Sequence, residues 1–196
     1  MYLGIDIGTT TAKAVLVSDA LRVVAEGECA YPMHFRDGGR VEQRPEDWWE
    51  AVGRIVRGWW AGGIDSRTVR GVGVSGHGAS LVALGADGEP LGPAISSLDT
   101  RCRDQTERLR DSSRAIVLAH NGNDVGAFNF EPKLLWMKER ERAKYEAMPA
   151  FLSATGYVNF RLTGVRTLNV SDGGIAMAYD RRAGGRWNED VVAAMG

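Results

Sequence analysis

The chain opens on an apolar run that a short polar loop interrupts, Tyr2-Leu3-Gly4-Ile5-Asp6-Ile7-Gly8-Thr9-Thr10-Thr11-Ala12-Lys13. Two further apolar runs follow at 14–17 and 22–28, each after a short turn, so the first thirty residues predict three strands. Connections this short predict antiparallel neighbours. Later in the chain strands and helices alternate, which predicts an α/β fold built on a mixed sheet flanked by helices.

The loop after the first strand carries residue types that suit a phosphate group. Gly8 lets the backbone approach closely, Thr9 and Thr10 offer hydroxyl and N–H donors, and Lys13 adds positive charge. A carboxylate at a strand end, here Asp6, can hold Mg²⁺ through water. A hairpin with an Asx-type turn explains the same residues without any ligand. The spacing alone leaves both interpretations open.

Composition excludes several classes of protein. The 196 residues hold 24 Lys plus Arg against 25 Asp plus Glu, which is not the basic excess of a nucleic-acid binder. No apolar run reaches the roughly 18 residues of a membrane span, and Asp6 interrupts any signal-peptide core. The only cysteines, Cys29 and Cys102, lack the CxxC spacing of a zinc or redox site, so we expect a reducing cytoplasm. Glycine accounts for 25 residues, which predicts many tight turns.

A helix is predicted to begin at Pro45, because proline suits the first helical position and Glu46 and Asp47 suit the positive helix N-terminus. Apolar residues then repeat at helical spacing and include four tryptophans, which we expect to pack against the sheet. The pattern predicts further helices over 101–119 and 133–145, and Gly164 terminates another segment.

A second glycine-rich stretch, Gly71-Val72-Gly73-Val74-Ser75-Gly76, satisfies the pattern GxGxxG. A dinucleotide-binding site also needs a helix that opens at the third glycine, whereas the residues after Gly76 predict a strand. The glycines instead indicate a strand that a ligand or another backbone approaches closely. His77 stands between Gly76 and Gly78 with little neighbouring bulk, and either contacts a ligand or has a structural role.

Asp99 and Arg101 lie two residues apart at a strand-to-helix junction. The pair could bind sugar hydroxyls, but the residues alone favour Asp99 as the cap of the following helix. No HExxH, GxSxG or P-loop motif occurs.

The chain resembles the FGGY carbohydrate kinases at segments spread in order along its whole length. The opening 2–13 is similar to their phosphate-binding hairpin, and 41–49 is similar to the segment that opens their first helix. The segment 92–101 resembles one that usually ends Trp-x-Asp-x-Arg, with Ser97 in place of the Trp. The remaining similar segments are Pro132-Lys133-Leu134-Leu135-Trp136, Phe160-Arg161-Leu162-Thr163-Gly164 and Ser171-Asp172.

The resemblance implies an actin-like, ribonuclease H-like fold for 1–196, as an N-terminal, sugar-side domain that is incomplete at its C-terminal end and lacks the family's second domain. It implies ATP and Mg²⁺ as cofactors, with the metal at Asp6. The transferred phosphate would face Gly8, Thr9, Thr10 and Lys13, and the sugar would face Gly76, His77, Asp99 and Arg101.

The activity that the resemblance implies is transfer of the ATP γ-phosphoryl group to a hydroxyl of a sugar or polyol, with a pentulose such as xylulose favoured. No carboxylate matches the family's catalytic Asp, so we expect the isolated chain to be inactive. The alternative is a non-catalytic sugar-binding or regulatory module with the same fold. The expected partners are a small sugar or polyol, with neither nucleic acid nor membrane, and a homodimer is left open.

Overall fold

A computed structural model describes residues 1–195, and side chains as far as 193. The strands are β1 (Tyr2–Ile7), β2 (Thr11–Val17), β3 (Val23–Ala30), β4 (His34–Arg36), β5 (Arg40–Gln43), β6 (Gly71–Gly76), β7 (Val82–Leu84), β8 (Ala94–Ile95), β9 (Ala150–Leu152), β10 (Tyr179–Asp180) and β11 (Arg186–Trp187). The helices are α1 (Pro45–Ala61), α2 (Arg103–His120), α3 (Phe130–Arg140), α4 (Arg142–Glu146), α5 (Ala154–Thr163), α6 (Val170–Ile175) and α7 (Glu189–Met195).

The main sheet has the strand order β3-β2-β1-β6. Its first three strands are antiparallel neighbours, as predicted, whereas β6 pairs with β1 in parallel. Side chains alternate between the two faces of each strand, so that Leu3, Ile5 and Ile7 are buried and Asp6 is exposed. The prediction of a mixed sheet is confirmed.

Helix α1 covers the buried face of this sheet. Its apolar stripe of Trp48, Ala51, Val52 and Ile55 is buried in the core on this face, where the helix packs on β2 and β3. Its acidic first turn follows Pro45 as predicted. Trp49, Trp59 and Trp60 are partly buried against the same core, which confirms the expected packing of the four tryptophans.

The predicted helix over 133–145 is wrong in its bounds and in its continuity. Helix α3 begins at Phe130 because Pro132 fits the first turn, where an N–H has no partner within the helix. The backbone leaves helical geometry at Glu141, with φ −131° and ψ 49°, so α4 is a separate helix. The prediction at Gly164 is confirmed, since this residue ends α5 in the left-handed conformation.

The glycine-rich stretch 71–76 is strand β6, and β7 follows it rather than a helix. The rejection of a dinucleotide-binding fold is therefore confirmed. Among residues 1–195, no helix combines the length and the apolar character needed to cross a membrane.

Candidate functional site

The loop between β1 and β2 is held by its carbonyl groups. The Gly8 carbonyl accepts a hydrogen bond from the Tyr31 hydroxyl, and the Thr10 carbonyl accepts one from the Tyr31 N–H at 3.0 Å. The Thr9 carbonyl accepts one from the Gln43 side-chain amide at 2.9 Å. Carbonyl oxygens would repel a phosphate, but these three are turned towards protein donors. Thr9 and Thr10 themselves are exposed to solvent. This arrangement suits an anion.

A row of polar side chains crosses the open face of the sheet next to this loop. Asp6 lies opposite Lys13 on β2 and Ser75 on β6, and Lys13 lies opposite Glu28 on β3. The Ser75 hydroxyl donates a hydrogen bond to Asp6 Oδ1 at 2.6 Å. All four side chains, with Glu26, line an open cavity of about 720 Å³. The structure therefore brings the predicted metal ligand and the predicted phosphate-binding lysine into one cavity.

Sequence reasoning missed Ser75 and Glu28 as members of this row. Glu28 could have been found from the hairpin register, because short antiparallel connections fix which residues lie opposite each other. Ser75 could not, because the parallel pairing of β1 with β6 joins residues 69 positions apart. Within residues 1–195, no three His, Cys, Asp or Glu side chains form a cluster that could hold a metal ion.

His77 directly follows β6, and its N–H donates a hydrogen bond to the Ile7 carbonyl at 2.8 Å. Its ring Nδ1 lies 3.0 Å from the Ser80 hydroxyl, while Trp48 packs edge-on with ring centroids 5.4 Å apart. Burial lowers the pKa of His77 to about 4, although the negative charge of Asp6 acts in the opposite direction. The imidazole is therefore neutral at pH 7.

Three buried polar atoms around this loop and His77 have no hydrogen-bond partner in the described part of the chain: His77 Nε2, Trp48 Nε1 and Gln43 Oε1. Buried polar atoms are nearly always bonded, so such a group marks a place where water or a ligand hydroxyl supplies the missing bonds. Gln43 and Trp48 were not predicted as site residues, because a glutamine in a strand and a tryptophan in an apolar stripe carry no local signal of binding.

The low pKa of His77 makes a testable prediction about stability. The His77 imidazole has a pKa of about 4 in the folded chain and 6.5 in the unfolded chain. As the pH falls from 6.5 towards 4, the imidazole takes up a proton in the unfolded chain but not in the folded one, which favours unfolding. Stability present above pH 6.5 is lost on acidification, by about 2–3 kcal/mol at pH 4.5. Urea unfolding of the chain and of His77→Asn at pH 7.5 and 4.5 isolates this contribution. Equal losses in both proteins would contradict it.

Asp99 and Arg101 form a buried ion pair. The Asp99 carboxylate accepts hydrogen bonds from the N–H of Val41 at 2.6 Å and of Arg101 at 2.9 Å, and from the Arg101 guanidinium. The guanidinium also pairs with Glu42 at 2.6 Å and lies over the Trp136 ring. These groups use their hydrogen-bonding capacity within the protein. Their predicted contact with a substrate stays a prediction.

The interpretation of Asp99 as a helix cap is wrong. Helix α2 begins after Cys102 and has no side-chain cap. The Asp99 carboxylate is instead taken up by Val41, which ties the loop to β5, and by Arg101. The local sequence shows the junction but not the distant strand that competes for the carboxylate.

The fold defines a class of protein. The structure superposes on the xylulose kinase from Rhodospirillum rubrum with a TM-score of 0.91 and 28% identity, covering 99% of this chain and 41% of that one. It also superposes on gluconate kinase from Lactobacillus acidophilus with a TM-score of 0.90, at 22% identity. These neighbours confirm the predicted actin-like fold of the sugar kinases.

The sequence comparisons give the family. The chain is 32% identical to the xylulose kinase of Bacillus subtilis over 99% of its own length and 39% of that protein's. It is 34% identical to the xylulose kinase of Klebsiella pneumoniae, over 99% of this chain and 40% of that one. Residues 1–196 match the N-terminal domain of the FGGY family of carbohydrate kinases, and the chain belongs to this family. It spans about 40% of the length of these relatives.

Proposed function

We propose that this chain is the sugar- and phosphate-binding part of an ATP-dependent kinase that transfers the γ-phosphoryl group to a hydroxyl of a sugar or polyol. The observation that carries the proposal is the cavity that Asp6 and Lys13 share beside the exposed Thr9–Thr10 loop. A pentulose such as xylulose is the favoured substrate, because relatives at 32% and 34% identity are xylulose kinases.

On the phosphate side, the proposed roles follow from charge and geometry. Lys13 offsets negative charge on the transferred group, and Thr9 and Thr10 donate hydrogen bonds to its oxygens. Asp6 is exposed at its strand end, and a single carboxylate with free space around it suits Mg²⁺, which keeps several waters. When bound, Mg²⁺ would neutralise charge on the ATP phosphates. Phosphoryl transfer depends chiefly on such positioning and charge neutralisation.

On the sugar side, the neutral imidazole of His77 offers one hydrogen bond to a sugar hydroxyl through Nε2, the ring atom that has no protein partner among residues 1–195. Gly76 is proposed to lie beside the sugar as well. It has no room for a side chain, since an added Cβ would lie 3.0 Å from the Thr155 hydroxyl and 3.1 Å from the Ile7 carbonyl oxygen. Asp99 and Arg101 are proposed in a narrower role than predicted, as the pair that fixes the loop carrying Ser97 against β5.

We further propose that residues 1–196 are the N-terminal domain of a larger kinase, since the relatives are about two and a half times as long. The base that accepts the hydroxyl proton and the adenosine site would then belong to the remainder, so the isolated chain is expected to be inactive. A cytoplasmic location fits the free thiols of Cys29 and Cys102.

Binding to the isolated chain tests the two halves of the proposal separately. We expect xylulose to shift the amide resonances of 75–80 and 43–48 in an NMR titration, and Mg·ATP to shift those of 6–13. Glycerol and gluconate serve as competing substrates. If neither xylulose nor Mg·ATP, at millimolar concentration, shifts the amide resonances expected for it, the proposed function is wrong for this chain.

Gly8→Ala is predicted to weaken Mg·ATP binding at least tenfold while the fold is retained. An added Cβ would lie 2.8 Å from the Thr11 carbonyl oxygen, and neither backbone can move without opening the loop. The matched control is Gly58→Ala in α1, where a Cβ meets no atom within 4 Å. Calorimetric titration of both variants, each joined to the C-terminal remainder of the Bacillus subtilis xylulose kinase, measures the effect. Unchanged affinity in Gly8→Ala would show that the loop does not hold the phosphates.

A further inference from the structure

Ala79, two residues after His77, is held in an unusual backbone conformation. Its φ is +62°, a left-handed value that costs a residue with a Cβ roughly 1–2 kcal/mol. The residue is buried, and a charged side chain lies beside each of its peptide groups. Its carbonyl accepts a hydrogen bond from Lys133 Nζ at 2.8 Å. The Asp172 carboxylate lies beside its N–H, with Oδ1 3.5 Å from the place a Cβ on Gly78 would occupy. The surrounding structure therefore fixes a conformation that the chain alone disfavours.

Lys133 is the less expected of these two partners. It is fully buried on α3, and within residues 1–195 its ammonium donates to two backbone carbonyls, of Ala79 and of Phe128, rather than to a carboxylate. Burial lowers its pKa to about 8. A buried charge without an ion-pair partner costs stability, so stability alone does not account for a lysine here. Its specific effect is to hold the 77–80 loop against α3.

The loop has little freedom to place His77 in another way. A Cβ on Gly78 would lie 2.7 Å from Ile175 Cδ1, so α6 packs directly on the backbone at this point. The Ser80 hydroxyl, also buried, holds Nδ1 of the His77 ring. Fixing the Ala79 peptide groups thus fixes both ends of the segment that carries the imidazole.

We propose that Lys133 and Asp172 are positioning residues, which clamp the peptide groups of Ala79 from α3 and α6 and so orient the His77 imidazole. The effect of this clamp on sugar binding rests on the proposed function, in which His77 bonds to a sugar hydroxyl. Neither residue touches the substrate, and both act through His77.

The test uses the whole chain with Lys133→Met, which keeps the volume of the side chain and removes the ammonium. We expect hydrogen exchange of the Ala79 amide to accelerate at least tenfold relative to amides of β2. We also expect the ¹⁵N spectrum of the His77 ring to change from one tautomer to a mixture, and the Kd for xylulose to rise about tenfold. The matched control is Met137→Ala, which removes a buried side chain from the same helix. It should lower global stability but leave the His77 spectrum unchanged.

Asp172→Ala provides an independent route if Lys133→Met does not fold, because it removes the carboxylate of α6 from the other peptide group of Ala79. The two variants should produce the same change in the His77 spectrum. A spectrum and an Ala79 exchange rate that match those of the unmodified chain in either folded variant would overturn the proposal. If both signals change while xylulose binds none of the proteins, the clamp stands and the proposed sugar site is wrong.

Discussion

Arg101→Ala is expected to destabilise the chain by about 3–5 kcal/mol, because it leaves a buried carboxylate without its partner. The Asp99 side chain is fully buried, and those of Arg101 and Glu42 are 4% and 14% exposed. Without the guanidinium, the Asp99 and Glu42 carboxylates lose the positive charge that they share. The contact of the guanidinium with the Trp136 ring is lost as well. The loss of stability should be large because water cannot reach these buried carboxylates to solvate them in place of the guanidinium.

Urea unfolding at pH 7 measures this change. Arg114→Ala is the matched control, since Arg114 and Asp124 form an ion pair of similar length whose side chains are each about half exposed. Exposed pairs of this kind contribute little, so the control should unfold close to the unmodified chain. Arg101→Lys should remain clearly destabilised, because an ammonium cannot reproduce the two-pronged contact with Asp99. Near-equal midpoints for Arg101→Ala and Arg114→Ala would contradict the description of this pair.

Asp6→Asn is expected to slow phosphoryl transfer roughly 100- to 1000-fold, the size seen when one electrostatic contact to a transferred group is lost. The affinity for the sugar should stay nearly the same. An asparagine oxygen can still accept the hydrogen bond from Ser75, so the strand end keeps its shape and loses only its charge. The loss should therefore fall on the step that depends on Mg²⁺ and ATP.

The measurement needs a catalytically competent protein, for which this chain is joined to the C-terminal remainder of the Bacillus subtilis xylulose kinase. Steady-state kinetics separate kcat from the KM for sugar, and titration gives the sugar affinity directly. Glu26→Gln is the matched control, because it makes the same carboxylate-to-amide change in the same cavity. It should leave kcat unchanged. An equal loss of sugar affinity and of turnover in Asp6→Asn would show that Asp6 shapes the sugar pocket or the fold instead.

Much of the fold could be predicted because its signals are local. The three N-terminal strands are marked by short apolar runs and turns, α1 by a proline followed by acidic residues and apolar spacing, and the end of α5 by Gly164. Each of these features is decided within about one turn or one hairpin of the chain.

The parts that were missed depend on contacts between distant residues. Asp99 was predicted as a cap, but the strand that competes for its carboxylate lies 58 residues earlier. Lys133 begins the helix predicted over 133–145, and nothing near it in the sequence shows that it is buried and bonds to a carbonyl 54 residues away. Only the folded chain shows that such side chains are enclosed, and burial decides what they do.

A coupled phosphorylation assay tests most directly whether this chain supplies the phosphate and sugar side of a carbohydrate kinase. The chain alone and the chain joined to the Bacillus subtilis remainder are each supplied with xylulose and Mg·ATP. We predict turnover by the joined protein and none by the chain alone. Robust turnover by the 196-residue chain would contradict the proposal that the base and the adenosine site belong to the remainder of the kinase. A folded joined protein that binds xylulose without phosphorylating it would support the non-catalytic sugar-binding alternative instead.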